Sequence, residues 1–166
     1  MRIGERVRGG AGVKRNAALR RGATTVEMAI VAPLFFLFVF GLVEYGRVQM
    51  VKNMMHAACR SAARLGAMEG VKTVDVQNRV LQMMSSSMDT SKLNVLVKNA
   101  SVYDSGGTAP QTVDDYNNLP NMEVDSALTR QLFVVRATVS YNDIAIVPLP
   151  IPSGAHIAGQ AFMRHE

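Results

Sequence analysis

Met28 to Val43 reads MAIVAPLFFLFVFGLV, sixteen residues without a charge or a strongly polar side chain, and no other stretch constrains the fold as tightly. Extended back to Ala23, with Glu27 as its one charge, the segment is twenty-one residues long. That is about the length a helix needs to cross ~30 Å of hydrocarbon. Pro33 lies inside the run, where it removes one backbone donor and crowds the preceding turn, which predicts a kink.

Charge is concentrated in front of this run. Met1 to Gly22 holds seven Lys/Arg and one acid, Glu5, a net +6 against +5 for the whole chain, so the remainder carries −1. The high pI therefore belongs to residues 1–22 and not to a folded basic surface, and nucleic acid is not an expected partner. Gly4, Gly9, Gly10 and Gly12 among these charges predict a disordered basic leader. A secretory signal peptide has an apolar core of only ~7–15 residues. Here the core is longer, Val43-Glu44-Tyr45-Gly46-Arg47 offers no small-x-small cleavage site, and Arg20-Arg21 is not part of a full twin-arginine signal. The segment reads as a membrane anchor, with the positive flank in the cytoplasm and the rest of the chain outside.

Helix is expected from Ala23 to Leu65, 43 residues and about 65 Å at 1.5 Å per residue. Glu44 to Met68 contains no proline. Val48, Val51, Met55, Ala58, Ala62 and Leu65 form one apolar helical stripe. Lys52, His56, Arg60 and Arg64 step by four on roughly the opposite face and read as a solvated face, with docking to an acidic surface as the alternative.

Thr73 to Met84 reads as a second helix, Lys92 to Tyr103 as β-prone, and Gln131 to Tyr141 as the best strand, with Phe133, Val135, Ala137, Val139 and Tyr141 on one face. His156 to Arg164 reads as a last strand, and Pro148, Pro150 and Pro152 exclude IVPLPIP from any central strand. Asp104 to Ser126 reads as a long loop with a contact role or as a mobile lid. The expected fold class is α+β: a long N-terminal transmembrane and amphipathic helix packed on a small antiparallel sheet. The expected organisation is a leader at 1–22, a transmembrane helix at 23–46 and an extracytoplasmic domain at 47–166.

No HExxH, GxSxG, CxxC, P-loop or GxGxxG is present, and His56, His156 and His165 form no metal-ligand pattern. No enzymatic activity, cofactor or metal is expected. Asp104, Asp114, Asp115, Glu123 and Asp125 make an acidic stretch whose order fits no EF-hand, so a solvated loop is favoured over calcium binding. Cys59 is the single cysteine, which excludes an intrachain disulfide. It reads as a small packed residue, or as a contact between parallel helices of two copies.

A carboxylate at the edge of hydrocarbon costs roughly 2.5–3.5 kcal/mol, so Glu27 needs a reason. One reading is an interfacial charge favoured at a helix N-terminus. Another requires a cationic partner. Cleavage after Gly22 creates an α-amino group at Ala23, one helical turn before Glu27. In a stack of such helices the carboxylate of one subunit neutralises the amine of the next.

Basic leader, Gly22, four residues, Glu27 and an apolar helix resemble the class III signal of type IV pilins and pseudopilins. More specifically, Arg20-Arg21-Gly22-Ala23, Val26-Glu27-Met28-Ala29, Pro33, Glu44-Tyr45-Gly46-Arg47 and Ala62-Ala63-Arg64 resemble the TadE-like pseudopilins of the tight-adherence (Tad/Flp) system. The closing Ala161-Phe162-Met163-Arg164-His165-Glu166 is similar to that family's carboxy-terminal end. The resemblance implies cleavage between Gly22 and Ala23 by a prepilin peptidase at the cytoplasmic face of the bacterial inner membrane. It also implies a minor role in assembling an adhesive pilus, with other pilins and pseudopilins, the Tad assembly machinery and the lipid bilayer as partners. Met28 after Glu27 and the added domain separate this chain from a bulk filament subunit. The alternative is an uncleaved, membrane-anchored extracytoplasmic binding domain.

Overall fold

The computed structural model describes residues 11–104, 106–108, 110, 112–146 and 154–166, with side chains from Thr25 onward. The expectations for the first ten residues of the leader and for Pro148, Pro150 and Pro152 lie outside the described residues. The chain divides into two units, Met1–Val43 and Glu44–Glu166.

The first helix, α1, runs Ala11–Gly66 and includes Pro33. It begins twelve residues before the expected start at Ala23, so the second half of the basic leader is helical rather than disordered. Ala17, Ala18, Leu19, Arg20 and Arg21 are good helix formers, no proline interrupts them, and extending an existing helix avoids the cost of a new nucleus. The described part of the first unit is this helix alone.

The second unit builds its core on the C-terminal half of α1. Val51, Met55, Ala58, Cys59, Ala62 and Ala63 are buried there. Small residues dominate that face, which lets other elements approach the helix axis closely. Helix α2, Thr73–Met84, has the two ends expected from its apolar spacing and buries Val76, Val80 and Met84. The Asp75 carboxylate accepts from the Lys72 backbone N–H at 3.2 Å, closing its first turn. Buried Thr73 donates its hydroxyl to the Met122 carbonyl at 3.2 Å and accepts from the Val124 N–H at 2.9 Å, tying the distant 122–124 segment to the start of α2.

Three strands, β1 Asn94–Asn99, β2 Leu132–Ser140 and β3 His156–Arg164, form one antiparallel sheet in the order β1-β2-β3. β1 is shorter than its β-prone stretch, because single 3-10 turns at Thr90–Lys92 and Ser101–Tyr103 bracket it. Phe133, Val135, Ala137 and Val139 join the core with the α1 stripe, and Tyr141 follows them from the short helix α4, Tyr141–Ile144.

The opposite face of β2 is also covered. Residues expected to form a loop or lid instead fold onto it: α3, Val113–Asn117, and its flanks bring Tyr116 and Leu119 against Ala100 and Val134 in a second buried cluster. Thr112 and Asp115 cap α3 reciprocally, at 2.8 and 3.2 Å. An isolated bridge from Lys98 to Asn121 pins the segment to β1. The cause is Val134, an apolar residue on the outer face that must be shielded from water.

Gly159 shows how tightly β3 meets α1. A Cβ added there would lie 2.6 Å from the Met55 carbonyl carbon and from the His56 nitrogen, both backbone atoms. Only glycine permits this crossing.

Candidate functional site

The first unit presents an exposed apolar surface among its described residues. Val26, Ile30, Leu34, Leu37 and Phe38 are each more than 60% exposed, at 63, 64, 66, 70 and 63%. Phe36 packs edge-on to Phe35 and is stacked with Phe40, so these rings pack against one another along the helix surface. The helix Thr25–Gly66 contains a window of mean hydropathy 2.4 of which 0% is buried. A contiguous apolar face of this size requires lipid or protein around it. Among the described residues this is the one helix long and apolar enough to cross a membrane, and it lies near the N-terminus, as in a single-pass anchor.

Gly22, Ala23, Glu27 and Pro33 all lie on α1. Ala23 and Glu27 are four residues apart, about 6 Å along the axis and on neighbouring positions of one face. The helix therefore brings residue 23 and the Glu27 carboxylate to similar depth. Glu27 is exposed and makes no hydrogen bond or ion pair among the described residues. Pro33 is exposed within the helix.

Glu44, directly after the apolar run, is different. It is 1% exposed, and its carboxylate accepts from the Tyr141 hydroxyl at 3.2 Å and from the Ile146 N–H at 3.3 Å. One turn on, Arg47 donates through Nε to the Ile144 carbonyl at 2.9 Å. Two α1 residues of opposite charge thus hold the turn that follows β2. Sequence reasoning noted Glu44 and Arg47 only as parts of a motif. The available signal was a carboxylate and a guanidinium three apart at the end of an apolar run, but their partners lie 97 and 102 residues away.

The expected solvated face of α1 holds for Lys52, Arg60 and Arg64, which are exposed. His56 departs from it. It is half-buried, and its Nδ1 lies 3.3 Å from the Gln160 N–H and 3.4 Å from the Gln160 carbonyl. The cause is the close passage of β3 at Gly159, which brings a strand backbone within reach of the ring. Cys59 is fully buried, its Sγ donating to the Gly159 carbonyl at 3.4 Å. Burial pushes its thiol up to about 11, and the backbone hydrogen bond of Ala137 and the nearby Arg136 and Arg60 offset only part of that rise. A buried, protonated thiol is the packed form, not an intermolecular contact.

The acidic stretch is dispersed. Asp104 pairs with Arg164 at 2.7 Å, Asp115 caps α3, and Asp114 lies in the first turn of the same helix. Among the described residues no three His, Cys, Asp or Glu side chains converge.

Comparison with known proteins gives one finding. Residues 22–64 match the family described as TadE-like protein. The matched segment begins at Gly22 and includes Ala23, Glu27, Pro33 and Glu44 to Arg47. It associates this part of the chain with the tight-adherence pilus system. No curated protein and no solved structure gives a match.

Proposed function

We propose that this chain is a minor pseudopilin that takes part in assembling a Tad/Flp-type adhesive pilus. In this reading residues 1–22 are a cytoplasmic leader, residues 23–46 cross the inner membrane once, and residues 47–166 form the extracytoplasmic domain. A prepilin peptidase cuts between Gly22 and Ala23. Glu27 then neutralises the new Ala23 amine of a neighbouring pilin-type subunit, and Pro33 bends the helix within the bilayer. The chain acts by packing and not by catalysis, with other pilins, the Tad machinery and lipid as its partners.

The observation that carries this reading is the family match over Gly22 to Arg64, on a helix whose apolar side chains point outward. A helix buried in its own domain has no use for that surface. A helix that leaves lipid to enter a bundle needs it in both states.

The mature N-terminus tests the proposal. Protein purified from bacterial membranes is expected to begin at Ala23. Gly22→Leu puts a bulky side chain at the residue before the cut, and should leave the protein about 2 kDa larger on an immunoblot, at unchanged membrane content. A wild-type N-terminus at Met1 or Arg2 would make the chain an uncleaved anchored binding domain instead.

A further inference from the structure

The outer face of the sheet contains a buried cation without a counter-ion. Arg136 on β2 sits opposite Leu96 on β1 and Gln160 on β3, and is 9% exposed. Its guanidinium carbon lies 3.9 Å from the centre of the Tyr116 ring, and Nη1 donates to Gln160 Oε1. Nε is buried with no hydrogen-bond partner. The ion pairs among the described residues are Lys92 with Asp143 and Arg164 with Asp104, so no carboxylate serves Arg136.

A groove of about 290 Å³ opens beside this group, with Arg136 in its lining. Lys92, Asn94, Asn117, Asp143 and His156 form its rim, and all five are exposed. Lys92 and Asp143 are 3.9 Å apart and balance one another, which leaves Arg136 as the uncompensated charge. The two asparagine amides add neutral donors. With Nη1 on Gln160 and Nε enclosed, Nη2, flanked by amide donors, is the N–H left to meet a carboxylate. Five exposed rim residues would leave a free small carboxylate wet on most sides. A protein segment also brings a cover for the half-buried Leu96 and for Val113.

We propose that this groove receives an acidic side chain of a neighbouring subunit, with Arg136 as its counter-cation. The inference rests on the subunit reading above, because it requires another protein held against the domain.

The test uses the full chain in detergent and a short labelled peptide of alternating Asp and Ser, with its Asn–Ser counterpart as control. The acidic peptide is expected to bind roughly tenfold or more tightly than the amide peptide. Asn94→Glu is the decisive variant. Residue 94 is two positions along β1 from Leu96, on the same face and diagonal to Arg136, so the new carboxylate reaches the guanidinium from within. Asn94→Glu should keep the wild-type melting temperature and weaken acidic-peptide binding about tenfold, while Arg136→Lys, which keeps charge but loses the planar guanidinium that sits over Tyr116, weakens it severalfold. The basic leader is unchanged in both variants, so the difference isolates the groove. Equal binding of the two peptides, or undiminished binding by Asn94→Glu, overturns the proposal. Complete displacement of the peptide by millimolar acetate would make the occupant a small carboxylate and overturn the subunit assignment. Wild-type dimers that Asn94→Glu dissolves would support the proposal and identify the neighbouring subunit as a second copy of this chain. Protein that begins at Ala23 yet fails these tests loses the groove and keeps the pilus reading.

Discussion

At the scale of single residues, stability depends on close approaches that a sequence does not advertise. Gly159 meets backbone atoms of α1 at 2.6 Å, and backbone cannot step aside as a flexible side chain does. Gly159→Ala should cost about 3 kcal/mol or more, at the upper end of overpacking changes. Gly46, with nothing within 4 Å of an added Cβ, is the contrasting case. Gly46→Ala on the same helix should gain roughly 0.5–1 kcal/mol. Thermal unfolding of the two variants side by side reads both. Cys59 gives a pH signature. Its thiol titrates at about 11 in the folded chain against an ordinary 9.0, so above pH 9 the unfolded chain binds fewer protons and stability falls as pH rises toward 11. Below pH 9 the contribution is fully present. Cys59→Ala should remove that slope, and native wild-type protein at pH 8 should resist maleimide labelling until it is unfolded. A wild-type pH profile in the 9–11 window no steeper than that of Cys59→Ala would contradict the assignment.

At the scale of elements, the segment between β1 and β2 is a structural cover. Tyr116 is 3% exposed, stands on a helix of five residues and closes over Val134 while its ring faces Arg136. So short a helix has no stability of its own, and packing holds it. Tyr116→Ala should therefore cost about 3–5 kcal/mol, the range for deleting a buried aromatic ring. It should also raise proteolytic cleavage within residues 104–126 before the core opens. Asp104→Asn, at an exposed ion pair, should change stability by less than about 1 kcal/mol. Equal protection of that segment in Tyr116→Ala and wild type would show that something else holds the cover down.

At the scale of the whole molecule, the two units have opposite logic: among the described residues the second unit buries an apolar core, while residues 25–43 of the first expose their apolar side chains. The exposed unit is the one that has to find partners, and Glu27 is the one charge between Ala23 and Val43. If Glu27 neutralises a neighbour's Ala23 amine, Glu27→Gln leaves a buried cation unpaired, at about 3–5 kcal/mol and a factor of roughly 10² or more in association. The expected protein is cut to its mature size and inserted in the membrane, but no longer co-purifies with pilus components. Equal recovery of partners from membranes of matched expression would return Glu27 to an interfacial helix charge. Much of this architecture was set by local pattern. The apolar run, the α1 stripe, both ends of α2 and β3, and the inner face of β2 follow from periodicities of 3.6 and 2, which depend only on near neighbours. The structure then decided what covers each face. Glu44 is buried by a turn 97 residues away, His56 is drawn in because Gly159 lacks a side chain, and β2 is covered twice because Tyr116 and Leu119 fold back over Val134. A sequence pattern marks which face avoids water, but the element that shields it is chosen by contacts across the fold, where chain separation leaves no local trace.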